Sequence, residues 1–437
     1  MQHEDLVFVA TCDLAGLVRG KAFPASDLDD RLRRGVGFTH SNLMMSAFGP
    51  IYATPFGTVG DLMLVPDPSV QVQVPFDDGP SERFYLGDLK TIDGAYWECC
   101  PRHFLRRALG ALQAATGLTI RAAFEQEFVY TGVDDRPGST YALDLMRRQS
   151  GFGEALMAAI RLAGATPDSF LPEYGPRQFE MTVKPAAALR AADDAVIMRE
   201  MARAVAFRLG HRAILSPMLH PNGIGNGTHI HFSLCDLAGK PVTLDPAAPY
   251  GLAAIAGQFA AGVLHHLPAL AAVTAPSVAS YMRLRPDRWA PTWCNLGERD
   301  RGASLRVSPV FAPTGTDDAA AQFNLEYRVC DAAASPYMAL GALVNAGLHG
   351  ITHGVTLPPP SPRNFWDMSE DERTEAGVRR LPESLPVALD ALAATAEAKD
   401  WFGGPFLDAY LMFKRSEIAA VSGLDEEAVC ARYAEVY

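Results

Sequence analysis

The sequence predicts an α+β fold in two parts, a small β-rich N-terminal domain followed by a larger domain that mixes strands with long helices. Three observations carry this expectation. The first hundred residues alternate apolar and polar positions in short runs broken by Gly and Pro. At Pro101 the apolar period lengthens to that of a helix. Beyond it, four strand-like stretches with one polar face are interleaved with Ala-rich helical segments. A chain of 437 residues also exceeds what one small core organises. A boundary near residue 98 divides it into 1–98 and 99–437.

In chain order, "LVFVATCDLAGLVRGKAF" reads as strand, Gly-containing turn and strand, a hairpin. "GDLMLVPDPSVQVQVPF" is β-branched and interrupted by Pro66, Pro68 and Pro75. In "CPRHFLRRALGALQAATG", Pro101 suits a first helical turn and Gly117 closes the helix. Phe104, Leu105, Ala108, Leu109 and Leu112 recur between them at helical spacing. Further helices are expected over 193–210, over 249–273 with a break at Pro268, and over 336–352. His265 and His266 then fall at a helix C-terminus, pointing in different directions, and are not expected to be ligands.

Composition excludes several classes. A net charge of -12 argues against nucleic acid or an anionic membrane surface as partner. "MQHEDLVFVATCDLAG" lacks the pattern of a secretion signal, and no apolar run reaches the roughly 18 residues of a membrane span. The seven cysteines have no framework spacing, which fits reduced thiols and a cytoplasmic location. Adjacent Cys99 and Cys100 are not expected to act as a redox pair.

The chemistry lies in the four strand-like stretches. In "AAFEQEFVY", Glu125 and Glu127 share a face, and in "QFEMTV" Gln178, Glu180 and Thr182 do. "THIHFSL" presents His229, His231 and Ser233, and "FNLEYRVC" presents Asn324, Glu326 and Arg328. A wet sheet face is ordinary, but one built of glutamates and imidazoles is not. Glu173 adds a fifth carboxylate, and five together would repel one another unless cations intervened. Oxygen-rich ligation with imidazole suits Mg²⁺ or Mn²⁺. Arg283, Arg301 and Arg306 form a cationic group suited to carboxylate or phosphate, whereas Arg285, Arg288 and Arg299 read as surface salt-bridge formers. Metals with arginines are what nucleotide-driven phosphoryl transfer requires, and the chain has no P-loop motif.

These motifs resemble the glutamine synthetase family almost end to end, most clearly in "FEQEF", "PEYGPRQFE", "GNGTHIHFSL", "SYMRLRPDRWAP", "RDRGASLRV" and "NLEYRVCDAAASPYMALGAL". The resemblance implies a β-grasp N-terminal domain and a catalytic domain with a curved antiparallel sheet flanked by helices. It also implies a homo-oligomer, a dodecamer of two stacked hexameric rings with sites at subunit interfaces. By motif, Glu127, Glu173 and Glu180 correspond to ligands of one metal, and Glu125, His229 and Glu326 to those of a second beside the ATP phosphates. His231 corresponds to a phosphate contact and Ser233 to a nucleotide contact. Arg301 and Arg306 match the arginines on the transferred phosphoryl group, and Arg283 and Arg328 those on glutamate. Gly225 and Ile224 fall in the substrate-binding stretch. The implied reaction is ATP-dependent formation of an acyl phosphate, then displacement of phosphate by an amine.

The departures from that pattern concern the amine and the acid. Ammonia-using members carry a glutamate where this chain has Trp289, and an aspartate that aligns with Thr39 of "GFTHSN". Trp289 and Thr39, grouped with Arg301 and Arg328 as catalytic positions, would leave a larger, more apolar pocket suited to an organic amine. The expected activity is therefore a γ-glutamyl-amide synthetase. An ammonia-using glutamine synthetase, with Trp289 only packing at an interface, remains the alternative. A phosphagen-kinase-like phosphotransferase and a non-catalytic scaffold are further ones. Ile224 and Asn324 replace an asparagine and an arginine of the family, which opens the acid to a glutamate analogue; Arg177 adds charge nearby. No adenylylation loop is recognisable near "VRRLPESLP".

Overall fold

The computed structural model describes residues 3–57, 59–77, 79–149, 151–311, 316–360 and 365–437. Leu6–Cys12 and Val18–Pro24 form the expected hairpin, with Leu6 opposite Pro24 and Cys12 opposite Val18. Leu6–Cys12 lies parallel to Gly79–Thr91, which pairs antiparallel with Asp61–Phe76, and Val36–Thr39 adds to that strand's far edge. These five strands are the sheet of the small N-terminal domain. Its prolines do not break the strand Asp61–Phe76. The register shifts between Pro66 and Gln71 and again between Val74 and Phe76, so Pro68 and Pro75 fall outside regular pairing.

In the larger domain, Leu118–Phe124, Ile230–Asp236, Leu325–Tyr327 and Leu305–Val307 run antiparallel in that order. Ala186–Ala187 flanks one end of this six-stranded sheet, and Leu296–Glu298 the other, parallel to its neighbour. A second, four-stranded antiparallel sheet orders Ala213–Ile214, Gln126–Tyr130, Gln178–Val183 and Pro167–Pro172. The stretch "AAFEQEFVY" is therefore two strands rather than one, divided at Glu125. Glu125 N–H donates to the His229 carbonyl at 2.9 Å and Glu127 N–H to that of Gly227 at 3.1 Å. Pairing thus continues across the join, and the two sheets meet as one bent surface.

Helices back that surface. Ala254–Thr274 packs along Pro336–Thr352, which also meets Pro101–Thr116. The first pair comes close because both contact positions are glycine. A Cβ on Gly262 would lie 2.2 Å from the Ala346 carbonyl oxygen, and one on Gly350 2.1 Å from that of Gln258. Two helix expectations need correction. Ala188–Arg208 begins five residues earlier than the pattern indicated. Ala254–Thr274 runs through Pro268 unbroken, so His265 and His266 lie mid-helix. Pro268 cannot donate to the Leu264 carbonyl, but the Arg379 guanidinium does so at 3.3 Å and reaches that of His265 at 2.8 Å. The external donor satisfies what the proline leaves open. Burial, then the neighbouring His265 and His349, pushes His266 down to about 4.

The two domains are joined through Arg102, which is 1 % exposed. Its guanidinium reaches Asp193 on the helix Ala188–Arg208 at 2.9 Å, and Asp88 and Asp67 on the N-terminal strands at 2.8 and 2.9 Å. Tyr337 donates to the same Asp193 at 2.6 Å. Arg102→Ala would leave the buried Asp193 without a counter-charge and Asp88 with Arg106 alone, and we expect a loss of about 3–5 kcal/mol. Denaturant unfolding followed with protease sensitivity between the domains checks this. A variant as stable as wild type would show that the cluster does not hold the domains together.

Candidate functional site

The bent join of the two sheets brings the polar faces together. Glu127 lies opposite Glu180 across one strand pair, and Glu326 lies opposite His231 and Arg306 across two others. A cavity of about 620 Å³ opens there, lined by Glu125, Glu127, Glu173, Glu180, Glu326, His229, Arg301, Arg306, Arg328, Tyr141, Tyr174, Leu171 and Trp289. Ten of the thirteen lining residues match sequence expectations. Tyr141, Tyr174 and Leu171 do not, and the signal available for Tyr174 was its place beside Glu173 in "PEYG".

His229 Nδ1 lies 3.0 Å from Glu125 and 3.5 Å from Glu326. His231 Nε2 lies 3.0 Å from Glu125. Glu326 also accepts from Arg306 at 2.5 Å and from Arg328. Glu127 accepts the Gly227 N–H at 2.5 Å, while Glu173 accepts the Tyr141 hydroxyl at 3.0 Å and the Tyr174 N–H at 2.8 Å. Asn324 turns its amide nitrogen to the Gln322 carbonyl, so its oxygen faces His231 Nδ1 at 2.8 Å. That arrangement places a proton on Nδ1 and turns Nε2 toward Glu125. The family's missing arginine has thus become an orienting group for His231.

Charge is unevenly matched in this cluster. Burial works to raise Glu326, but His229, Arg328 and His231 outweigh it and bring the carboxyl down to about 2. Glu125 is held well below its usual range despite burial, chiefly by His231 and His229. Burial works to lower His231, yet Glu125 and Glu326 lift it to about 9. Glu180 has no such partner. Burial first, then Glu125, Glu127, Glu173 and Glu326, push it up to about 10. Glu173 is raised as well, by burial and then Glu127. The donor set is one that divalent cations fit, being oxygen-rich, preassembled and short of positive charge. Among the described residues two sets already converge with ligand atoms within 4.8 Å, Glu125 with Glu180 and His229, and Glu125 with His231 and Glu326. Glu127 and Glu173 lie in the cavity wall outside both sets.

Other expected site residues stand elsewhere. Arg283 is buried, donates to the Val329 and Cys330 carbonyls at 2.5 and 2.9 Å, and packs behind Gly225. A Cβ on Gly225 would lie 2.6 Å from Arg283 Cγ, so only glycine fits. Ile224 precedes it, half-buried, and neither it nor Arg177 is among the cavity-lining residues. Ser233 lies two residues along the strand from His231, opposite Arg121. Thr39 lies on the exposed face at the end of the edge strand Val36–Thr39, where it bonds Ser41 and Asn42, and it does not reach its own chain's cavity. Arg285 pairs with Glu426 as expected, whereas Arg288 donates to the Gly223 carbonyl in place of the expected salt bridge. Trp289 and Tyr141 adopt positive φ, +54° and +51°, costing about 1–3 kcal/mol each. Trp289 meets the Tyr174 ring at 5.9 Å, and the two form an aromatic edge to the cavity.

A carboxylate-and-imidazole cluster flanked by guanidiniums, on a bent antiparallel sheet beside a small second domain, defines an ATP-dependent ligase that forms C–N bonds. The chain belongs to the glutamine synthetase family: the family model for the glutamine synthetase catalytic domain matches residues 98–433, and that for its N-terminal domain residues 1–97. Among curated relatives it is 34 % identical to a gamma-glutamylpolyamine synthetase of Streptomyces coelicolor, over 98 % of this chain and 92 % of the relative. It is 30 % identical to the glutamine synthetase of Pyrococcus horikoshii, over 94 % and 88 % respectively. A crystal structure described as a novel glutamine synthase homolog superposes with a TM-score of 0.92 at 38 % identity, covering 100 % of this chain and 99 % of that one. A GmaS complex with ADP follows at 0.79 and 27 %, covering 96 % and 94 %.

Proposed function

We propose that this chain is a γ-glutamyl-amide synthetase joining glutamate, or a close analogue, to an organic amine. The observation that carries this reading is the aromatic edge of Trp289 and Tyr174 where ammonia-using members place a carboxylate. Among the described lining residues, the only carboxylates are the five glutamates of the cluster. An ammonium ion, with a pKa near that of lysine at about 10.4, therefore meets no additional carboxylate that would trap and deprotonate it. An amine with an apolar or aromatic body gains contact with the rings instead. The relative at 34 % identity, by its name a gamma-glutamylpolyamine synthetase, supports the direction of this change.

In the reaction, a carboxylate oxygen of the acid attacks the γ-phosphorus of ATP and ADP departs. The amine lone pair then attacks the acyl carbon, phosphate leaves, and the nitrogen gives up a proton. Glu127, Glu173 and Glu180 would hold one cation and Glu125, His229 and Glu326 a second, Mg²⁺ or Mn²⁺. Such cations, when bound, neutralise phosphate and carboxylate charge. His231, oriented by Asn324 through Nδ1, is the phosphate contact by motif, and its Nε2 would have to exchange Glu125 for that phosphate. Arg301 and Arg306 steady the transferred group and Arg328 holds the acid, while Arg283 fixes the Gly225 turn behind the cavity. The nucleoside would take the cavity of about 420 Å³ lined by Val307, Ser308, Pro309 and Phe323, which begins one residue past Arg306 of the carboxylate cavity.

Residues 1–98 and 99–437 act as the N-terminal and catalytic domains of a cytoplasmic enzyme. Thr39, exposed and away from its own cavity, would face a neighbouring copy's site in a dodecamer of two hexameric rings. Among the described residues no helix is long and apolar enough to cross a membrane.

Two measurements test the core of this reading. With ATP, Mg²⁺, glutamate and hydroxylamine, γ-glutamyl hydroxamate should accumulate; ATP turnover without it would contradict carboxylate activation. Mg²⁺ should also raise the melting temperature, by an amount equivalent to about 2.7 kcal/mol at one hundred times its Kd. Glu180→Gln should shrink that shift in a thermal scan. An equal shift in the variant would remove Glu180 from the cation site.

A further inference from the structure

Four of the chain's eleven histidines meet in the helical layer, and none of them lines the carboxylate cavity. His265 and His266 come from the helix Ala254–Thr274, His349 from Pro336–Thr352, and His353 stands one residue past that helix. Ring centroids are separated by 4.6 Å for His265 and His266, 4.7 Å for His266 and His349, and 4.2 Å for His349 and His353.

The central contact is His266 Nε2 to His349 Nδ1 at 3.0 Å. Two neutral imidazoles at this distance share one proton between two nitrogens. The same spacing suits two ligands of one cation. With metal–nitrogen bonds of about 2.0–2.1 Å, a 3.0 Å separation corresponds to an angle of roughly 90–95° at the metal, reached once each ring tilts to turn its lone pair from the partner nitrogen toward the ion. The other nitrogen of His349 faces Glu397 Oε1 at 3.5 Å, where a carboxylate orients a metal-bound imidazole from behind. Trp401 packs edge-on against His266 and shields one side of the pair. His353 is exposed and four residues after His349, on the same side of the chain. Its Nδ1 bonds the His349 carbonyl and Thr352 hydroxyl, both at 3.1 Å, leaving Nε2 for a ligand. Arg379 also lies beside the group, and its Nη2 is engaged by the Leu264 and His265 carbonyls.

We propose that His266 Nε2 and His349 Nδ1 form a second metal site, for a borderline transition cation such as Ni²⁺, Cu²⁺ or Zn²⁺, which His353 closes by side-chain rotation. Nitrogen ligands select these ions over Mg²⁺, so the site is chemically separate from the oxygen-rich cavity. A cation there would tie the two central helices to the Glu397 segment. The site stands whether or not the ligase reading holds, because it uses no residue of that cavity.

The test uses untagged, full-length protein stripped with EDTA and equilibrated with Ni²⁺ under excess Mg²⁺, which keeps the carboxylates filled. After gel filtration, Ni²⁺ per chain is counted by mass spectrometry of the digested protein. Wild type and Glu326→Ala should both retain one Ni²⁺ per chain. His349→Ala should lose it, and Glu397→Gln should weaken it by about 10- to 100-fold. The exposed His353→Ala variant, with circular dichroism confirming its fold, should weaken binding at least tenfold. Wild type without Ni²⁺, or His349→Ala and His353→Ala retaining as much as wild type, overturns the site.

Discussion

Replacing Glu326 with alanine is expected to lower amide synthesis by about three orders of magnitude or more. Glu326 is 1 % exposed and faces His229, Arg306 and Arg328 at once. Losing one ligand of a cation that offsets phosphate charge removes several kcal/mol from the transition state, and each 1.36 kcal/mol is about tenfold in rate. The deletion also leaves two buried guanidiniums without a counter-charge, an expected stability cost of about 3–5 kcal/mol. Melting temperature must therefore be measured beside kcat. Glu326→Gln, which keeps the shape, should stay folded and stay slow. A folded Glu326→Gln enzyme with wild-type kcat would contradict the proposed cation site.

Trp289→Glu should exchange the amine preference. A carboxylate on this segment restores a trap and a proton acceptor, and positioned bases contribute about 10²–10⁴-fold. We expect kcat/KM for ammonia to rise by about a hundredfold. For an organic amine it should fall about tenfold, because the ring contact with Tyr174 and the bound amine is lost. Glutamate meets the positive φ of this position with similar strain, so the exchange tests the side chain and not the backbone. Unchanged preference would assign Trp289 to packing alone.

Much of this site was legible in the sequence because strand alternation sorts side chains by face. Glu125, Glu127, Glu180, His229, Glu326 and Arg328 reach one cavity as the period of two required. What the alternation could not reveal is sheet membership. Main-chain hydrogen bonds send residues before and after Glu125 to different sheets, and no side-chain pattern encodes that choice. Pro268 misled for a related reason. Its local rule was correct, but Arg379, 111 positions further along the chain, supplies the missing donor. Tyr141 enters the cavity from a loop by bonding Glu173, and loops carry no period to read. Asn324 looked like a lost substrate contact and proves to hold His231, a relation visible only once the strands are paired.

The central claim is that the acyl phosphate is captured by an organic amine in preference to ammonia. Steady-state phosphate release from ATP, Mg²⁺ and glutamate, measured with ammonia and with alkylamines, polyamines and anilines at matched free-base concentration, tests it directly. The account requires at least one organic amine to exceed ammonia in kcat/KM by tenfold or more, with the matching γ-glutamyl amide as product. Turnover supported by ammonia alone would contradict it.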